Sequence, residues 1–306
     1  MVDHILVARD FSADSERALQ MGLTWAKQFD ATLHLLAVQV DTDNPFSAPE
    51  KRSGPIERMR AQFKERSRGN LARYGYDPMS VSIKHEVMQG EAAGPAIVRY
   101  ADENDIDLIV MGTTGRRGVR RTLMGSVAEE VVRTAGPPVC TVRHTDDEAP
   151  PARPESVVVP IDFSQRSRHA LMYGMRLAQH LNTRLTLLHA IERPAAPLAY
   201  GIEISSETAR LGDESLKKRI KATLNEWATE AVPANTESPP VDLSVHNDAP
   251  DKVILQSART PEHLVVMATQ GRTGMSRVML GSVAEAVLRR ARSPIITARS
   301  FKNALG

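Results

Sequence analysis

The chain has 306 residues, of which 42% are hydrophobic and 4% aromatic, and its formal net charge is +2. This length is enough for two domains of ordinary size. So small a net charge argues against general binding to nucleic acid or to a membrane surface. No basic leader is present, and no apolar run approaches the ~20 residues that cross a bilayer, so we predict a cytoplasmic protein with no membrane partner.

Apolar patterning along the first half predicts strands that alternate with helices. The predicted strands cover 5–8, 33–40, 81–88, 108–111 and 139–142. The first predicted helix starts at Ser12 or Ser15, and the next two cover 56–74 and 95–103. The last predicted helix begins at Gly125-Ser126. Such alternation predicts right-handed crossovers and a mostly parallel, doubly wound α/β sheet. The single cysteine, Cys140, lies in the last apolar run and is predicted to be a buried structural thiol.

The second half of the chain repeats the first. Asp10-Phe-Ser recurs as Asp162-Phe-Ser, and residues 108–138 match 264–294 at 17 of 31 positions. A polar, proline-rich stretch from His144 to Glu155 indicates a linker. We therefore predict two related modules, over 1–145 and 154–306.

A glycine pattern marks the predicted site in each module. In the first module, Gly112-Thr-Thr-Gly115 is followed by nine residues and then Gly125-Ser126. In the second, Ala268-Thr-Gln-Gly271 is followed by nine residues and Gly281-Ser282. Glycines let a ligand approach the backbone, and a helix N-terminus offers free N–H groups to a phosphate. The pattern therefore predicts a phosphate-binding loop between the fourth strand and the last helix.

Structural roles compete with ligand binding at these positions. Asp10 and Asp162 are candidates for helix capping or loop bonding, and Ser126 and Ser282 for capping the last helix. A cluster of arginines in the first glycine loop could neutralise a phosphate or could simply be exposed to solvent. Contact with nucleic acid is a weaker alternative, because no aromatic residues that would stack on bases interleave with the arginines. The cluster consists of Arg116, Arg117, Arg120 and Arg121, and its counterparts are Arg272 and Arg277.

Signatures of other nucleotide chemistries are absent from the sequence. There is no Gly-x4-Gly-Lys-Ser/Thr, and no Gly-x-Gly-x-x-Gly follows the first strand. No paired base and nucleophile is evident, and the histidines lack metal-ligand spacing. His189, at a strand end, is predicted to be a packed and hydrogen-bonded residue. Catalysis is therefore not indicated, beyond slow hydrolysis by a positioned water.

With Asp-x-Ser after strand one and Gly-x2-Gly-x9-Gly-Ser after strand four, the chain resembles the universal stress protein family in its tandem form. The resemblance covers nearly the whole chain, twice. It implies two Rossmann-like, five-stranded parallel sheets of order 3-2-1-4-5, whose strand order reverses between strands one and four. In that family the glycine pattern marks members that bind ATP. Any Mg²⁺ would arrive with the phosphates and be held by few protein ligands.

Carried over to this chain, the resemblance assigns site residues by position. It places Asp10 near the adenine or ribose and Val38 against the base through its backbone. It assigns the binding of the ribose and phosphates to Gly112, Gly115, Gly125 and Ser126. The counterparts in the second module are Asp162, Ala190, Gly271, Gly281 and Ser282.

The two sites are not equivalent, because Ala268 replaces the first glycine of the second loop. If that position needs a positive φ, or if the ligand passes close to it, the methyl group lowers affinity. We therefore predict nucleotide in the first site and leave the second open.

The resemblance implies a nucleotide-responsive regulatory protein of the stress response. A ligand-independent interaction scaffold and a weak ATPase are the alternatives. The family pairs its domains through the fifth strand, which predicts that Val139–Val142 pairs with Ile295–Ala298 inside the chain. Two chains could then assemble further into a homodimer.

Overall fold

Each module folds into five strands and four helices in the described part of the chain. The computed structural model describes residues 2–40, 56–74, 76, 80–114, 124–143, 153–192, 206–271 and 279–301, without the side chains of 206–213. The elements of the first module are β1 (His4–Ala8), α1 (Ala13–Phe29), β2 (Thr32–Val40), α2 (Ile56–Arg73), β3 (Ile83–Gly90), α3 (Ala93–Glu103), β4 (Leu108–Gly112), α4 (Ser126–Thr134) and β5 (Val139–Val142).

The second module repeats this order. Its elements are β6 (Ser156–Pro160), α5 (Gln165–His180), β7 (Arg184–Ala190), α6 (Ser206–Ala231), β8 (Val241–His246), α7 (Pro250–Ser257), β9 (His263–Ala268), α8 (Ser282–Arg290) and β10 (Ile295–Ala298). None of the described helices has the combination of length and apolar character that a bilayer crossing requires.

The strands form one continuous ten-stranded sheet. Its order is β3-β2-β1-β4-β5-β10-β9-β6-β7-β8, so each half has the predicted order 3-2-1-4-5. The halves meet where β5 and β10 run antiparallel, with Cys140 opposite Ile296, and the other described strand pairs are parallel. The two predicted five-stranded sheets are therefore joined edge to edge through their fifth strands.

Both faces of the sheet are covered by helices, as the nearly continuous apolar strands indicate. Alternate residues of β1 face opposite layers: Ile5 and Val7 belong to the buried cluster formed with α1, α2, α5 and α6, whereas Leu6 belongs to the cluster formed with α3, α4, α7 and α8. All three are fully buried. Burying each such side chain stabilises the fold by about 2 kcal/mol relative to exposure.

Cys140 is buried, as predicted. It is fully inaccessible on β5, and its Sγ lies 3.7 Å from the sulfur of Met21. Burial raises the pKa of the thiol, which keeps it protonated and unreactive.

A buried histidine, His34, links β2 to α3. Its Nδ1 lies 2.9 Å from the hydroxyl of Tyr100, and its Nε2 lies 3.3 Å from Nδ1 of His4. Burial, with smaller contributions from the charges of Lys84 and His4, lowers the pKa of His34 from 6.5 to about 4. Burial also raises the pKa of Tyr100 to about 12, so this pair is neutral at pH 7.

We expect His34 to make the protein less stable in mild acid. As the pH falls from 6.5 towards 4, the unfolded chain binds a proton that the folded state excludes, so the free energy of unfolding falls. Urea unfolding of the wild type and of His34→Gln should therefore be compared at pH 7.5 and 5.0. The stability advantage of the wild type should shrink by about 2 kcal/mol at the lower pH, and an advantage independent of pH would contradict the assignment.

Candidate nucleotide-binding crevice

A cavity of about 900 Å³ opens at the carboxyl ends of β1, β2 and β4 in the first module. Its lining includes Asp10 after β1, Val38 on β2, Gly112 at the end of β4 and the first turn of α4 from Ser126. Strand order reverses between β1 and β4, and open α/β sheets bind ligands at such a point. Five of the predicted site residues thus share one crevice: Asp10, Val38, Gly112, Gly125 and Ser126.

The turn after β1 is shaped by an aspartate in both modules. Oδ1 of Asp10 accepts hydrogen bonds from the backbone N–H of Ser12 at 2.9 Å and from its hydroxyl at 2.6 Å. The residue between them, Phe11, has the left-handed φ of 62°, and Phe163 repeats it beside Asp162. Asp10 and Asp162 therefore hold a tight turn, and Asp10 also faces the crevice.

Serines cap the helices that follow these turns. The Ser12 hydroxyl accepts from the N–H of Ser15 at 3.2 Å to cap α1, and Ser164 does the same for Ser167 in α5. Of the two candidates for capping α1, Ser12 is the cap.

The helix α4 begins without a side-chain cap. Its N-cap is Gly125, whose N–H donates to the carbonyl of Thr113 at 2.7 Å, and Ser126 is the first helical residue. Ser126 therefore does not cap α4, and Ser282 stands in the same place after the N-cap Gly281 of α8. Because the first turn of α4 lines the crevice, its N–H groups and partial positive charge make this end of the crevice favourable for an anion.

Neither N-cap glycine is required by its backbone conformation. Gly125 has φ −68° and ψ 148°, and Gly281 has φ −67° and ψ 148°, which any residue adopts. A Cβ built on Gly281 stays 3.4 Å or more from its nearest neighbours, so packing does not require glycine there. A glycine at each of these positions leaves the helix N-terminus without a side chain in front of it.

Gly112 is a glycine for a different reason. Its φ lies outside the left-handed region, but an added Cβ would come within 2.5 Å of Cβ of Asp14 and 2.8 Å of the Asp14 backbone carbon. The first turn of α1 thus packs directly on the end of β4. The positive φ that would require glycine here is not found, and the contact with α1 is a reason for glycine that the sequence did not indicate.

Asp14, which sequence analysis missed, fixes the start of the glycine loop. The residue is 5% exposed, and its Oδ2 accepts from the hydroxyl of Thr113 at 2.9 Å. It also accepts from the N–H of Thr114 at 2.8 Å and from the Thr114 hydroxyl at 2.6 Å. An acidic residue in the first turn of a helix was the available signal, but such residues are common there for dipole reasons.

A basic wall flanks the crevice on the side of α2. The side chain of Arg9 is buried; its guanidinium donates to the carbonyl of Ser15 at 2.7 Å and pairs with Glu16 at 2.8 Å. The guanidinium of Arg66 lies 3.8 Å from the centre of the Phe11 ring. Glu16 offsets the charge of Arg9, and Arg66 adds a second cation beside the opening.

The second module carries larger side chains in the corresponding region. His189 stands where Ala37 stands in the first module; its Nδ1 is 2.6 Å from the carbonyl oxygen of Ile161, and its ring contacts Phe163. Trp227 also packs against Phe163, with the ring centres 5.4 Å apart. His189 is therefore packed and hydrogen-bonded, as predicted.

The loop after β9 is also held differently. Arg166 replaces Asp14 and donates to the carbonyl of Gly271 at 3.3 Å, while Ala268 replaces Gly112. A Cβ on Gly271 would lie 3.0 Å from Oδ2 of Asp162, so these two predicted site residues are adjacent. Ala190 ends β7.

Several sequence-based candidates lie outside the described residues, and their roles stay predictions. They are Gly115, Arg116, Arg117, Arg120, Arg121, Arg272 and Arg277. Within the described residues, no group of three or more His, Cys, Asp or Glu side chains is arranged to hold a metal ion.

Comparison with known proteins identifies the family. The model of the universal stress protein family matches residues 1–143 and again 154–299. The chain belongs to the universal stress protein family. A universal stress protein of Mycobacterium tuberculosis is 31% identical over 219 residues, which cover 72% of this chain and 70% of that protein. One from Methanocaldococcus jannaschii is 34% identical over 146 residues, covering 47% of this chain and 84% of that protein.

Solved structures share the tandem fold. A universal stress protein from Archaeoglobus fulgidus superposes with a TM-score of 0.62 at 19% identity, over 98% of this chain and all of that one. A protein of Pseudomonas aeruginosa superposes with a TM-score of 0.65 at 16% identity, over 99% of this chain and 94% of that one. At these identities the likeness concerns the fold. The tandem arrangement of this universal stress protein is thus shared by structures of very different sequence.

Proposed function

We propose that this universal stress protein binds ATP in the crevice of its first module and acts as a nucleotide-responsive regulatory protein. The observation that carries the proposal is the uncapped N-terminus of α4, which opens into a cavity of about 900 Å³ at the switch point of the sheet. Ligand sites for molecules of this size occupy about 300–1,000 Å³.

The polarity of the crevice suits a nucleotide. At one end, the free N–H groups of the first turn of α4 are placed for phosphate oxygens, and the extended N-cap Gly125 leaves them uncovered. At the other end, Val38 on β2 and Met111 on β4 supply apolar surface for a base. Asp10 also lines the crevice, which supports a role for its carboxylate as acceptor of a hydrogen bond from a ribose hydroxyl. Any Mg²⁺ would be held mainly by the phosphates.

A regulatory role fits the position of the site in the fold. Helix α4 leads directly into β5, and β5 pairs with β10 of the other module. A ligand on the N-terminus of α4 is therefore one element away from the strand pair that joins the modules. The proposal includes a cytoplasmic location, where ATP is available.

Titration of the purified protein tests the proposal. After removal of bound nucleotide, isothermal calorimetry with ATP and Mg²⁺ should give saturable binding with at least one site per chain. Extraction of freshly purified protein should release adenine nucleotide. Absence of both in a protein with native circular dichroism would contradict the proposal, and an interaction scaffold would then be the better account.

A further inference from the structure

One side of α2 faces the crevice of the first module. Met59, Gln62, Phe63 and Arg66 all line the crevice. Residues at positions i, i+3, i+4 and i+7 lie on a single side of a helix, so these four form one continuous surface. Helix α2 is therefore a wall of the crevice, and Arg66 is the charged residue on that wall.

The guanidinium of Arg66 is held beside the turn that follows β1. It lies 3.8 Å from the centre of the Phe11 ring, and Phe63 packs against the same ring with the ring centres 5.7 Å apart. The next residue of the turn, Ser12, reaches the start of the glycine loop, because its hydroxyl lies 3.3 Å from the carbonyl oxygen of Thr114. Arg66 thus places a cation beside a turn that contacts the glycine loop.

Contacts with α1 hold α2 in this position. The carboxylate of Glu16 on α1 accepts hydrogen bonds from the side-chain amide of Asn70 and from the hydroxyl of Tyr74. Asn70 lies one turn after Arg66 on α2, and Tyr74 directly follows the helix. The same carboxylate pairs with Arg9. The backbone of α2 is therefore anchored close to Arg66, which favours a defined position for its side chain.

Arg66 carries the uncompensated charge of the described crevice wall. Of the described residues that line the crevice, three are charged: Arg9, Asp10 and Arg66. Arg9 is buried and paired with Glu16, and Asp10 accepts the hydrogen bonds of Ser12. Arg66 is exposed, and none of the described carboxylates pairs with its guanidinium. Its N–H donors are therefore available to a ligand.

The second module has the opposite charge at the corresponding position. On α6, Trp227 packs against the turn residue Phe163. Three residues later, the place that Arg66 has on α2 is taken by Glu230. The carboxylate of Glu230 pairs with Arg168 of α5. An available cation at this position is therefore a property of the first module and not of the fold that the two modules share.

We propose that Arg66 is a specificity-determining residue of the first crevice and that its guanidinium contacts the phosphate chain of the bound nucleotide. Helices α2 and α4 cover opposite faces of the sheet, so the phosphates are held between a guanidinium on one side and a helix N-terminus on the other. A planar guanidinium matches the geometry of phosphate oxygens. This inference rests on the proposed function, and it makes the preferred ligand a nucleoside polyphosphate over the bare nucleoside.

Calorimetric titrations of the wild type and of Arg66→Gln with Mg-ATP and with adenosine test the inference. Glutamine is about as good a helix former as arginine, so α2 should stay intact. We expect Arg66→Gln to weaken ATP binding about tenfold and adenosine binding by less than about twofold, because the bonds lost are charge-assisted bonds to phosphate. Arg66→Lys should keep part of the ATP affinity, because lysine retains the charge without the planar guanidinium.

The matched control is Arg68→Gln. It removes the same charge from an exposed position of α2 that does not line the crevice, so ATP affinity should not change. If the wild type binds ATP and Arg66→Gln binds it equally well, the inference alone is overturned and the proposed function stands. Equal weakening of ATP and adenosine would also overturn the inference, because the contact would then not be with phosphate. Absence of ATP binding by the wild type would overturn both.

Discussion

Replacing Gly125 by aspartate is expected to weaken ATP binding by a factor of 100 or more without unfolding the protein. Gly125 is the N-cap of α4 and has the extended conformation in which aspartate is favoured. The new carboxylate would accept hydrogen bonds from the N–H groups that are proposed to bind a phosphate. Its negative charge would also repel the phosphate. A 100-fold loss corresponds to about 2.7 kcal/mol of binding free energy. Calorimetric titration with ATP and Mg²⁺ measures it.

The matched control is Gly281→Asp, at the equivalent N-cap of α8 with almost the same φ and ψ. This variant should leave the affinity of the first site unchanged; if the second module also holds nucleotide, only the stoichiometry should fall. Thermal unfolding of both variants should match or slightly exceed that of the wild type, because aspartate is at least as good an N-cap as glycine. ATP affinity unaltered by Gly125→Asp would remove the main support for the proposed site.

Replacing Gly112 by alanine is expected to destabilise the protein by about 3 kcal/mol. The added methyl group would lie 2.5 Å from Cβ of Asp14 and 2.8 Å from its backbone carbon, so α1 must move away from β4. That movement would also strain the hydrogen bonds from Thr113 and Thr114 to the Asp14 carboxylate. Urea unfolding monitored by circular dichroism measures the loss.

The same substitution elsewhere should act in the opposite direction. Gly69 lies in α2, and a Cβ built on it meets nothing within 4 Å. Gly69→Ala should therefore stabilise the protein by about 0.5–1 kcal/mol, because glycine is unfavourable inside a helix. A loss below 1 kcal/mol for Gly112→Ala would show that α1 yields easily and that the glycine is not needed for packing.

The parts of the fold that follow local rules could be predicted from the sequence. The alternation of strands and helices follows from the apolar pattern, whereas the strand order in each half and the pairing of β5 with β10 are implied by the family resemblance, and the structure confirms both. Burial of Cys140 follows from its apolar neighbours on β5. Ser12 as the cap of α1 follows from serine preceding a helical pattern.

The contacts that shape the crevice could not be predicted in this way. Asp14 and Thr114 are 100 residues apart, and no periodicity in either segment indicates that they meet. The reason for Gly112 depends on how closely α1 approaches β4, which is a property of packing. Arg9 at the end of a buried strand is unexpected until Glu16 and the carbonyl of Ser15 are placed beside it.

The antiparallel union of β5 and β10 determines the direction in which each module faces. Strands within a module are parallel, so reversing direction at β5 and β10 sends the carboxyl ends of the two halves to opposite borders of the sheet. The first crevice and its counterpart therefore open away from each other. A protein that docks over one of these borders therefore leaves the other border of the sheet uncovered.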